Sequence, residues 1–173
     1  MDKKQTIFRC IIYTAEMVFF YVVSQMPNFL PSVVGHKPNL VLALLVSVIL
    51  SEGSRISAGF GMACGFLFDI GLDVFVGLNA ILLCVLCYFF GGLCNYYLRR
   101  TFVTCFMVSI VFISLFYHIQ FVLLYLIPGY GDIYYAYIFH YVSAMFYSFI
   151  FAQVFYLLNA ALCFKLRKNY LSF

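Results

Sequence analysis

Residues 77–97 read GLNAILLCVLCYFFGGLCNYY, without a single charge. A helix needs about 20 apolar residues to cross a bilayer, and this stretch has that length. Within it Gly77, Ala80, Cys84, Cys87, Gly91 and Cys94 recur at steps of three and four, so all six share one helical face. In lipid no hydrophobic force draws helices together, and close approach depends on small residues at the contact. Just upstream, AGFGMACGFLFD at 58–69 carries a shorter stripe of the same kind, Ala58, Gly61 and Gly65. The two stripes predict a tight antiparallel hairpin. Internal packing is the plainer reading of this seam, ahead of a partner-binding face. Cys84-x-x-Cys87 belongs to the stripe: structural zinc wants four ligands and a redox pair wants a solvent-reached helix start, so no metal or cofactor is expected.

The rest of the chain has the same character. Of 173 residues 66% are hydrophobic, only 10 are Lys or Arg and 6 Asp or Glu, and the mean hydropathy is +1.05. Soluble domains carry roughly a quarter charged residues, so a water-soluble globule is excluded, and with it a soluble catalytic or nucleic-acid-binding module. With 22 Phe and 15 Tyr the chain is no disordered segment either. The seven Cys lie in or beside apolar runs and read as reduced packing residues. The charged start lacks a small-residue cleavage site after its apolar stretch and reads as a retained first helix.

Apolar runs between charges place six spans at about 7–26, 38–54, 56–72, 77–97, 101–127 and 133–164, in one polytopic all-α membrane domain. The second is short for a bilayer, and charge parity argues for it. If all six cross, Lys3, Lys4, Arg9, Arg55, Arg99, Arg100, Lys165, Arg167 and Lys168 fall on one side and Lys37 alone on the other. That bias predicts a multi-pass protein with both termini cytoplasmic. Pro27, Pro31 and Pro38 bracket an external loop; Pro128-Gly129-Tyr130-Gly131-Asp132 separates spans five and six, with Asp132 placed to cap the last. Tyr96, Tyr97, Tyr130, Tyr134, Tyr135, Tyr137 and Tyr170 gather at span ends, as an interfacial aromatic belt does.

Few polar residues lie inside the spans. Glu16 sits near mid-membrane in span one, and an intramembrane acid is a functional candidate by default; Gln153 of span six is placed at similar depth as its partner. Asp69 ends span three and Asn79 opens span four, where a hydrogen bond between them would hold the hairpin. A geometric role of this kind predicts that Asn serves at position 69 far better than Ala. His118 and His140 occupy the outer halves of spans five and six and could face each other, although two imidazoles without a third ligand make a poor metal site. No paired catalytic groups share one depth, so no enzyme is expected.

The stretch Gly61-Met-Ala-Cys-Gly65-Phe-Leu-Phe-Asp69, followed by Gly77-Leu-Asn79-Ala80, resembles the hallmark of the rod shape-determining protein MreD family, and Pro38-Asn39-Leu40 before a short second span fits it too. The resemblance implies a non-enzymatic membrane component of the bacterial elongation machinery. Such a component binds the single-span protein MreC and couples MreB filaments to the polymerase RodA with its transpeptidase, within membrane lipid. It also implies a fold similar to the S components of energy-coupling-factor transporters. A vitamin-binding S component is therefore the alternative function. Span one has only Ala15 where many S components carry Ala-x-x-x-Ala, and the chain has no Trp for a vitamin pocket; both points lean towards the scaffold.

Overall fold

LVLALLVSVILS at Leu40–Ser51 has apolar residues all round, and such a helix is at rest only when surrounded. In the computed structural model every residue from Leu40 to Leu50 is buried, and this helix (α2) forms the axis of the bundle. The structure describes residues 3–26, 39–70, 77–97, 101–129, 131, 134 and 137–170, with side chains given from 6 to 161 among them except at His140. Around α2 stand α1 (Lys3–Gln25), α3 (Ser54–Asp69), α4 (Leu78–Tyr96), α5 (Phe102–Phe121) and α6 (Ser143–Tyr170), and α2 touches each of them. No strand occurs among the described residues.

Side-chain contacts give each helix its direction. Arg9 near the start of α1 meets Glu52 at the end of α2, so these two run antiparallel. Gly61 lies over Leu83 and Cys87, and Gly65 over Asn79 and Ala80, so α3 and α4 oppose. Phe90 meets Phe112 edge-on at 5.4 Å and Gln120 reaches Asn79, which opposes α4 and α5. Gln153 pairs with Ser109 and Tyr137 with His118, which opposes α5 and α6. The six helices therefore alternate, and the start of α1 and the end of α6 share one end of the bundle. Arg9, Glu52 and Arg55 lie at that end; Asn39, Asp69, Asn79 and His118 lie at the other.

Four helical stretches are long and apolar enough to cross a membrane: Thr6–Gln25, Leu78–Tyr96, Phe102–Leu126 and Tyr137–Ala161. Helices α2 and α3 fall short of the spans read at 38–54 and 56–72. Their 12 and 16 residues rise about 18 and 24 Å, against a hydrocarbon core of ~30 Å. For α2 the reason is its position: a helix enclosed by protein need not match the lipid thickness, because its neighbours satisfy and cover its ends. The end of α2 turns directly into α3, Glu52 N–H bonding Val48 O at 2.9 Å.

At the other end the chain departs from regular α-helix. A π-helical turn, Val122–Leu126, extends α5, and another, Tyr137–Val142, leads into α6. Between them Phe121 stacks on Tyr125 at 5.4 Å and packs on Tyr137 and Tyr141 at 5.1 and 5.0 Å. The prolines of the first loop, Lys37, Arg99, Arg100, Tyr130, Asp132 and Tyr135 lie outside the described residues, as do the side chains of His140, Lys165, Arg167 and Lys168.

Candidate functional site

The junction of α3 and α4 concentrates the polar chemistry. Asp69 is 2% exposed and Asn79 equally so, yet neither is idle. Asp69 Oδ2 accepts from the backbone N–H of Gly77 at 2.8 Å and of Ala80 at 3.4 Å. Its Oδ1 accepts from Asn79 N–H at 3.3 Å and from Asn79 Nδ2 at 3.0 Å. The first N–H groups of a helix have no partner within it and carry the positive end of its dipole. Asp69 thus caps α4 from the end of a different helix. Gly77, the N-cap position itself, has φ +101° and no capping side chain, a conformation that L residues rarely adopt.

Both carboxylate oxygens act as acceptors, which alters the expectation for Asn at position 69. An amide would replace one acceptor by an NH2 donor facing N–H donors. Asn79 carries the network further, its Oδ1 accepting from Gln120 Nε2 of α5 at 3.5 Å.

The seam below is as close as its small residues allow. A methyl group added at Gly65 would overlap the backbone of Ala80 and lie 2.5 Å from Asn79 O; at Gly61 it would lie 2.7 Å from Leu83 O and from Cys87 Sγ. Gly91 closes the far end, where an added methyl would stand 3.0 Å from Ser54 Cα and 3.3 Å from Ser57. Ala80, Cys87 and Cys94 are buried with them, whereas Ala58 and Cys84 are half-buried at the margins of the seam. The face of α3 that is covered consists of Ser57, Gly61, Cys64, Gly65 and Asp69. Ser57 and Cys64 were not in the sequence-derived stripe, although both continue its spacing.

The structure separates the other predicted pair. Gln153 does not face Glu16; its Nε2 donates to Ser109 Oγ of α5 at 2.7 Å. Glu16 instead lies beside Asn159 of α6, whose Nδ2 donates to Ser47 Oγ of α2 at 2.7 Å. The physical reason is that α1 and α6 run in opposite directions. Counted inward from the cations at the shared end, Asn159 lies six residues before Lys165 and Glu16 seven after Arg9, while Gln153 lies twelve away. That count was available in the sequence.

Two further polar sets escaped the sequence reading. Arg9 Nε lies 3.1 Å from Glu52 Oε1, with the Glu52 side chain 3% exposed; Arg9 had figured only as an orientation signal. Asn39 N–H donates to Ser148 Oγ and Asn39 Nδ2 to Tyr117 Oη, at 3.3 and 3.1 Å. This pins the start of α2 to α5 and α6. His118 Nδ1 donates to Ser114 O at 2.7 Å and its Nε2 meets Tyr137 Oη at 2.6 Å. Among the described residues no three of His, Cys, Asp and Glu gather as metal ligands, and six cysteines are unbridged.

An all-helical bundle with four membrane-length helices, a buried central helix and polar groups spent on joining helices defines a multi-pass membrane protein. The family model for rod shape-determining protein MreD matches residues 4–166, and the chain belongs to that family. No curated protein and no solved structure matches it.

Proposed function

We propose that this chain is a non-enzymatic scaffold of the bacterial cell-elongation machinery. It would sit in the cytoplasmic membrane with both termini inside, bind an MreC-like single-span protein, and act through it on MreB filaments and on RodA with its transpeptidase. The reading rests on the match to the shape-determining family over residues 4–166. The architecture supports it: α2 fills the middle of the bundle, and the buried polar groups at the α3–α4 junction bond one another. In this reading all six helices cross, and the α3–α4 seam with Asp69 and Asn79 is the rigid element that holds the partner-binding surface in shape.

Complementation tests it. In a rod-shaped bacterium lacking its own family member, the wild-type chain with its cognate partner should restore rods, and gentle purification should recover a single-span protein. Round cells with a restored vitamin uptake would place the chain with the transporters instead.

A further inference from the structure

A crevice of about 570 Å³ opens between α1 and α6, with Ala15, Phe19, Phe155, Leu158 and Ala161 around Glu16. Among the described residues its lining is apolar except for that carboxylate. Glu16 Oε2 and Asn159 Oδ1 are both enclosed and have no hydrogen-bond partner among the described residues, and Asn159 is 1% exposed. The Asn159 amide nitrogen donates to Ser47 Oγ at 2.7 Å. Two enclosed oxygens, one on each helix, thus lack a hydrogen-bond partner among the described residues, in a region where unpaired polar groups are costly.

We infer that this crevice docks a partner's transmembrane segment that carries a hydrogen-bond donor, a Lys, Arg, Ser, Thr or Tyr side chain, to Glu16. The inference deepens the scaffold reading, on which it rests, by naming the face that the single-span partner occupies. Depth selects a helix over a lipid. Glu16 stands seven residues, about 10 Å, inward of Arg9, whereas a lipid's ammonium or hydroxyl groups remain at the interface. A helix side chain arrives at that depth without leaving its own backbone. Ala15 and Ala161, both exposed on the rim, leave space for a second backbone to approach.

The test is site-specific photo-crosslinking of the full chain in native membranes. Benzoylphenylalanine replaces either Leu158, at the crevice, or Met107, which faces outward on α5. The expected result is a crosslink from position 158 to a single-span protein whose spanning segment holds such a donor, with little from position 107. Glu16→Leu should lower that crosslink about threefold to tenfold, the range of interhelical hydrogen bonds in membranes. Leu is well accepted at mid-bilayer, so yield and helix content should hold. Ala15→Phe, which fills the crevice from its rim, should lower it as well and serves if the first variant folds poorly. Capture unchanged by both variants would overturn the inference, since a protonated Glu16 bonded to Asn159 then needs no partner. Crosslinks from 158 to lipid or to a second copy alone would also overturn it. A single-span partner captured at 107 and not at 158 removes this site and leaves the scaffold reading standing; no single-span partner at either removes both.

Discussion

The Asp69 carboxylate at the end of α3 accepts the N–H of Gly77 at 2.8 Å, so one helix supplies the cap of the next. Because its second oxygen accepts from Asn79 as well, shape alone does not substitute for the charge. Asp69→Asn and Asp69→Ala should each destabilise the purified protein by about 1–3 kcal/mol, the cost of leaving buried donors unmet. Thermal unfolding in detergent measures this; Asn matching wild type would show that only one oxygen matters.

Gly65→Ala should be among the most damaging single-methyl changes on α3, because its methyl meets the Ala80 backbone, which has no rotamer to yield. Overpacking of this kind costs about 1–3 kcal/mol. Gly59 and Gly92, where an added methyl meets nothing within 4 Å among the described residues, should accept Ala with no loss. Their stability ranking in one assay checks the seam, and equal tolerance would count against it.

Gly77→Ala separates conformation from packing. Among the described residues no atom lies within 4 Å of the added methyl, yet φ +101° is strained for any L side chain, at roughly 1–2 kcal/mol. Its loss should persist in combination with Gly59→Ala as a simple sum.

Arg9 and Glu52 form an ion pair, and Arg9 keeps a small exposed surface, 17% of its side chain. Removing Arg9 alone as Arg9→Met should cost about 3 kcal/mol, the lower end for breaking a buried pair. The double-mutant cycle with Glu52→Gln should show clear coupling. Additive effects would mean that the pair does not join α1 to α2.

If all six spans cross, nine cations fall on one side and Lys37 on the other, so reporter fusions after Arg100 and at Phe173 should both report the cytoplasm. An external signal at either point would break the alternation of six crossing helices.

Much of this architecture could be read one residue at a time. Membrane residence follows from composition, because lipid demands apolar surface and internally satisfied backbone. The α3–α4 hairpin was visible because small residues at helical spacing are themselves the contact, and Asp69 with Asn79 because each stands at a helix end where unpaired N–H groups collect. The short second helix was visible as a length and not as a position: nothing in LVLALLVSVILS distinguishes a buried axis from a lipid-facing span, since both call for apolar residues all round.

What the sequence by itself determined is therefore the solvent of the protein, its apolar stretches, and the local junction whose partners are eight to eleven residues apart. Tertiary structure alone decided which distant helices touch. Gln153 meets Ser109, Arg9 meets Glu52, and Asn39 meets Tyr117 and Ser148. Those pairings depend on how the helices are arranged around α2 and rotated about their own axes. A one-dimensional pattern supplies each helix's depth and faces; only packing against the neighbours selects the rotation at which one helix's polar atom meets another's.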